Sequence, residues 1–158
     1  MKFFRRETVG KIRFSWNLLL KLIDKYRADA EKCLKYGAYF AGLVSVRAAL
    51  ETMLLARFLV EMFEQSDEYL SKHGVIVEDD IIKVPGDVSF WNLIEAAKNK
   101  NLLTKSGYKA AQRIRKWGNK IHCSRVAGAS KLPSIGKRNL KARLNDLAFV
   151  SEELLKTL

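Results

Sequence analysis

The chain has 158 residues, with 29 Lys or Arg against 17 Asp or Glu and a formal net charge of +12. That length fits one domain, or one with a short appendage, and a core that needs neither metals nor disulfides; 48% hydrophobic and 29% charged residues describe a soluble globular protein rather than a disordered one. Two Pro and nine Gly are too few for the many turns of a β-sandwich or barrel.

Met1-Lys2-Phe3-Phe4-Arg5-Arg6 has the basic start of a secretory signal, but Lys11, Arg13, Asn17 and Lys21 break the apolar run that should follow. Between Ile12 and Leu34, apolar residues recur at helical spacing: Leu18, Leu19, Leu22, Ile23, Tyr26, Ala30, Cys33 and Leu34. Residues 1–35 therefore read as an N-terminal helix packing on a bundle, ended or bent at Tyr36 or Gly37. The next helix, Ala38 to Glu64, is apolar nearly all round. At ~100° per residue its charges Arg47, Glu51, Arg57, Glu61 and Glu64 share one sector of roughly 140°, so it is central with one polar stripe. Arg47–Glu51 and Arg57–Glu61 are i,i+4 pairs on that stripe. Arg47, Glu51, Arg57 and Glu61 also count against a membrane span from Tyr36 to Phe63, and no membrane association is expected.

Asp67–His73 reads as a short helix stopped by Gly74. Val75-Ile76-Val77 and Ile81-Ile82-Lys83-Val84 flank Glu78-Asp79-Asp80 as a small hairpin or an ordered loop, closed by Pro85-Gly86. Ser89 is the expected N-cap of a helix over Phe90–Asn99, and Thr104 that of a helix reaching about His122. A loop spans Ser124–Gly136. A last amphipathic helix runs from Lys137 to Leu158, with Leu140, Leu144, Leu147, Ala148, Val150, Leu154 and Leu155 turned inward. The expected fold is an all-α bundle of four to five helices with a small loop or hairpin insertion.

Two cysteines, Cys33 and Cys123, make neither a disulfide framework nor a zinc-ligand spacing. A reduced, cytoplasmic compartment is the simplest reading, and no metal or cofactor is expected. The charge is unevenly distributed. Residues 36–95 are net acidic, whereas residues 96–145 contain fourteen Lys or Arg and no Asp or Glu. A solvated helical surface normally mixes both signs, so such a run points to a surface that meets phosphates. The bland alternative is a basic face that balances the acidic middle across a dimer.

One helix within that run concentrates the chemistry. On a wheel of Thr104–His122 with Arg115 at 0°, Ala110, Ala111, Ile114, Trp117, Gly118 and Ile121 form a core face at about 200–320°. Lys105, Lys109, Arg113, Lys116 and Lys120 form a basic face at about 80–160°. Arg115, Asn119 and His122 lie between them within ~40° of zero, at i,i+4 and i,i+3 spacing. Arg115 has the forked donors to clamp a phosphate. His122 can exchange a proton at neutral pH, and Asn119 can orient it through its amide. RNA carries its own nucleophile, the 2′-hydroxyl, so an Arg/His pair can cleave it without metal and leave a cyclic phosphate. The competing reading makes Arg115, Asn119 and His122 a structural hydrogen-bond network, Gly118 a point of close helix packing, and Trp16, Trp91 and Trp117 core or interface anchors. His73 and Glu78-Asp79-Asp80 then read as loop and solvated-turn residues.

Ile114-Arg115-Lys116-Trp117-Gly118-Asn119-Lys120-Ile121-His122 resembles the "IR..GN..H" signature of a bacterial helical domain of unknown function, found in or beside restriction and other defence proteins and belonging to the HEPN superfamily. Val46-Arg47-Ala48-Ala49-Leu50-Glu51 is similar to its "R.ALE" helix, and Phe90-Trp91-Asn92-Leu93-Ile94-Glu95 resembles its "L..LIE" segment. The matches span residues 36–158 in the family's order. The resemblance implies a helical bundle that dimerises and, as in many HEPN members, a metal-independent endoribonuclease of toxin–antitoxin, abortive-infection or CRISPR settings. On that basis Arg115, Asn119 and His122 are the catalytic candidates, and Lys109, Arg113, Lys116 and Lys120 the nucleic-acid-binding ones. In active members a polar Asn, Asp or His commonly follows the Arg; here Lys116 does. The alternative function is a non-catalytic dimerisation or interaction module, with a protein partner in a defence system.

Overall fold

The computed structural model describes residues 12–63, 76–78, 81–84, 89–121 and 133–156. Its body is an all-α bundle of five helices among the described residues: α1 (Trp16–Tyr36), α2 (Tyr39–Phe63), α3 (Phe90–Asn99), α4 (Lys105–Lys120) and α5 (Lys137–Leu155). The expected short helix over Asp67–His73 lies outside the described residues. None of the described helices is long and apolar enough to cross a membrane.

The periodicity between Ile12 and Leu34 overstates the first helix. Ile12–Ser15 is a strand, β1, which leads straight into α1. It pairs antiparallel with β3 (Ile81–Val84), and β3 pairs antiparallel with β2 (Ile76–Glu78), giving the order β1-β3-β2. The hairpin expected around Glu78-Asp79-Asp80 thus gains a third strand from a distant part of the chain. Such a pairing leaves no trace in local spacing: Ile12-Arg13-Phe14-Ser15 alternates apolar and polar as a strand should, but four residues are too few to separate that from a helix start.

At its other end α1 stops as Gly37 requires. Gly37 takes φ 80°, and the Ala38 amide donates back to the Cys33 carbonyl at 2.9 Å. This is a Schellman closure, in which a residue free of Cβ turns the chain and satisfies an orphan carbonyl. α2 then returns along α1 and also packs against α3, α4 and α5. Its buried residues Val46, Ala49, Leu50, Met53, Leu54 and Ala56 join α3 (Phe90, Leu93, Ile94, Ala97), α4 (Ala110, Ala111, Ile114) and α5 (Leu140, Leu147, Val150, Leu154) in one core. A helix surrounded on so many sides must be apolar nearly all round, as the sequence of α2 is. On α5 the inward set is narrower than expected. Ala148 and Leu155 are exposed and line shallow grooves beside Arg27 of α1.

Candidate nucleic-acid interface

α4 is seated by its first turn. Thr104 Oγ1 accepts from the Gly107 amide at 3.1 Å, the side-chain cap its sequence position predicts. The Thr104 hydroxyl and amide in turn donate to the two carboxylate oxygens of Glu153 on α5, at 2.5 and 3.0 Å. A carboxylate at a helix N-terminus also meets the positive end of the helix dipole. Ser89 caps α3 likewise, accepting from the Asn92 amide at 3.1 Å.

The α4 wheel is realised in space. Ala110, Ala111, Ile114, Gly118 and Ile121 are buried, and Trp117 packs half-buried against the core. Lys105, Lys109, Arg113, Lys116 and Lys120 are all exposed. Arg115 and Asn119 lie half-buried at the border, but each is engaged by a different neighbour.

Arg115 belongs to a network across α3 and α4. Its Nε donates to Gln112 Oε1 at 2.9 Å, and its guanidinium carbon sits 4.5 Å from the centre of the Trp91 ring. Gln112 Nε2 donates to Glu95 Oε1 at 3.4 Å, and the Tyr108 hydroxyl donates to the same oxygen at 2.6 Å. Tyr108, Gln112 and Arg115 follow one another at i,i+4,i+7, so one stripe of α4 faces Glu95 and Trp91 of α3. The hydrogen bond to Glu95, then burial and the Glu95 charge, push the Tyr108 phenol above its ordinary pKa, against smaller lowering effects of Gln112 and Arg115.

Asn119 belongs to α2. Its Oδ1 accepts from Arg47 Nη1 at 3.2 Å, and the Arg47 guanidinium lies 5.3 Å from the centre of the Phe90 ring. The Arg47 stem crosses Gly118, where a Cβ would stand 2.5 Å from Arg47 Cδ. Gly118 therefore gives the arginine its passage to Asn119. Rather than pairing along α2 with Glu51, Arg47 ties α2 to α4. The three sequence segments singled out above meet here: Arg47 against Phe90, Gly118 and Asn119, and Trp91 against Arg115.

The basic residues are not equivalent. Arg113 forks onto Asp146 of α5, with Nε 3.1 Å from Oδ2 and Nη2 2.5 Å from Oδ1. That bond raises the guanidinium pKa still further, so it is a permanent cation. Arg143 Nε stands 2.7 Å from Oδ2 of the same carboxylate, an ion pair whose N–H is not aimed at the oxygen. Lys120 Nζ lies 4.3 Å from the centre of the Trp117 ring. Lys109 and Lys116 join Arg113, Arg115, Gln112, Tyr108 and Trp91 around an open cleft of about 420 Å³. That volume lies within the roughly 300–1,000 Å³ of ordinary ligand clefts.

His122 follows directly on Ile121 but lies outside the described residues, as do His73 and Cys123. Of the catalytic candidates, Arg115 faces the cleft and Asn119 is turned to Arg47. Sequence reasoning passed over Trp91, Tyr108, Gln112 and Glu95. For Trp91 a signal existed. Phe90, Leu93, Ile94 and Ala97 make the i,i+3,i+4,i+7 core stripe of α3, which leaves Trp91 off it, and 43% of its surface is exposed. No family model, no curated protein and no solved structure matches this chain.

Proposed function

We propose that this chain is a HEPN-like RNA-binding protein that engages the phosphate backbone through the exposed face of α4, and that Arg115 and His122 cleave the bound RNA without a metal, in a defence or toxin–antitoxin setting. The observation that supports binding is the convergence of Lys109, Arg115 and Lys116 on one open cleft, beside an Arg113 that Asp146 holds. Lysines supply mobile point charges there, while Gln112 holds Arg115 at Nε and leaves its Nη nitrogens as a forked donor pair for a phosphate.

In the cleavage step the 2′-oxygen attacks the adjacent phosphorus and gives its proton to a base. The 5′-oxygen leaves with a proton from an acid, and a 2′,3′-cyclic phosphate remains. Arg115 stabilises the charge growing on the phosphate, and His122 handles the proton. A homodimer, which the family resemblance implies, would supply a second histidine so that base and acid are both present.

The test is incubation of labelled RNA with the protein in EDTA, beside His122→Ala and Arg115→Ala. Cyclic-phosphate products that vanish in both variants support the reading. Binding is measured separately as affinity against salt. Three phosphate contacts, from Lys109, Arg115 and Lys116, give a log–log slope of about −2 for single strands. No cleavage and no salt-dependent binding would remove it.

A second reading has its own support: Arg113 is held by Asp146 and Asn119 by Arg47, which is what a non-catalytic helical interaction module would also need. In that case His122→Ala lowers stability by several kcal/mol, as loss of a structural hydrogen-bond network would, and RNA binding is absent.

A further inference from the structure

The cleft on α3 and α4 carries more than charge. A surface built only to neutralise phosphates has no use for an exposed indole, yet Trp91 stands at its wall with 43% of its surface open to solvent. Trp91 lies off the buried stripe of α3 and lines the cleft with Lys109, Arg113, Arg115 and Lys116. Tyr108 lines the same cleft. Arg115 already lies against Trp91 as a planar cation over an aromatic ring, 4.5 Å from its centre. This pair is held from behind: Gln112 fixes Arg115 Nε and is itself tied to Glu95, which also takes the Tyr108 hydroxyl. A cation–aromatic pair held by such a network and lining an open cleft together with Lys109 and Lys116 is the arrangement that receives an unpaired nucleobase and its flanking phosphates. A base in a duplex has both faces covered by its neighbours and cannot enter.

We infer that the Trp91–Arg115 pair is a nucleobase subsite, and that the RNA this chain takes is single-stranded at the position held in the cleft. The inference rests on the RNA-binding reading above and deepens it by naming the substrate class. The base stacks against the pair; Lys109 and Lys116 take the phosphates on either side. Because every base has a π-face, the subsite tolerates any base and excludes pairing rather than sequence.

The experiment measures binding of the full chain to a short unstructured RNA and to a blunt RNA duplex of the same length, at one salt concentration, for the unaltered protein, Trp91→Ala, Trp91→Phe, and the pair Lys109→Ala with Lys116→Ala. The expected result is preference for the single strand. Trp91→Ala should lose about tenfold on the single strand, the cost of one stacked base, and little on the duplex. Trp91→Phe should recover most of the loss, which a merely structural tryptophan would not show. The lysine pair should weaken both ligands and flatten the salt dependence. Equal affinity for strand and duplex, or a Trp91→Ala protein of native helicity that binds the single strand undiminished, would overturn the subsite while leaving the RNA-binding reading in place. Absence of salt-dependent binding to either ligand would remove both.

Discussion

Asp146→Ala couples stability and binding in opposite directions. The Asp146 side chain is 10% exposed and serves two arginines, Arg143 at 12% and Arg113 at 48% exposure. Removing one member of a buried ion pair costs about 3–5 kcal/mol, because it leaves an uncompensated charge behind. That figure applies to Arg143, and its lower end is the better choice because the Arg143 N–H is not aimed at the carboxylate. The Arg113 pair is half in water and is worth about 1 kcal/mol at most. The expected loss is therefore about 3 kcal/mol. For a chain of this size that lowers Tm by about 6–12 °C, read by thermal melting followed by circular dichroism.

The same substitution releases Arg113, which already lines the cleft, to meet a phosphate. Affinity for single-stranded RNA should rise at low salt, and the log–log salt slope should steepen by about 0.7, the share of one added contact. A variant that melts like the parent would refute the energetic argument. A variant that melts lower but binds RNA with a shallower salt slope would refute the claim that Asp146 withholds Arg113 from the surface.

Three further outcomes are expected. Gly118→Ala gains about 1 kcal/mol of helix propensity but drives a Cβ into the Arg47 stem, where overpacking costs about 1–3 kcal/mol; denaturant titration should show a net loss near 1 kcal/mol, and a stabilised variant would mean that Arg47 is not held at Asn119. Thr104→Ala removes the α4 cap and the hydroxyl that Glu153 accepts from, so it should cost about 1–2 kcal/mol in the same titration; Thr104→Ser should recover most of it. The Tyr108 phenol, held protonated chiefly by its hydrogen bond to Glu95, should titrate above its ordinary value in ultraviolet difference spectra. Its folded pKa is raised, so its contribution to stability is full below the unfolded value and fades as pH rises through the folded one; Glu95→Gln should bring the titration down toward the ordinary value, and an unmoved titration would refute the assignment.

Helix boundaries were legible because their signals are local. Gly37, Ser89 and Thr104 each act on the next turn of chain, and the structure uses each as its position predicts. The amphipathic period placed the core face of α4 for the same reason. Pairings between distant segments were not legible. Ile12–Ser15 is a strand only because Ile81–Val84 offers it an edge some seventy residues away. Ala148 and Leu155 fit an apolar stripe on the wheel, yet they lie past the width that α1, α2 and α4 cover, so they remain exposed. A wheel shows which residues share a face but not how wide the neighbouring elements are.

The candidate site shows the same divide in electrostatic form. Residues 96–145 hold no acid in sequence, and from that run alone every cation on α4 is equally available to a polyanion. In space the run is not free of acids. Asp146, the first residue beyond it, folds back onto Arg113; Glu153 reaches the start of α4; Glu95 holds Tyr108 and Gln112 from α3. Each carboxylate takes up a different element of α4, and together they decide which cations remain on offer. Asp146 withdraws Arg113. Glu95 acts on Arg115 only through Gln112, which spends the Nε donor and leaves the guanidinium charge facing the cleft. Lys109 and Lys116 stay on the rim. The acids thus convert a uniformly positive helix into a graded one, in which the arginine beside the exposed tryptophan is the best oriented cation. A count of charges indicates that a polyanion is attracted; the positions of three carboxylates indicate where on α4 it is received.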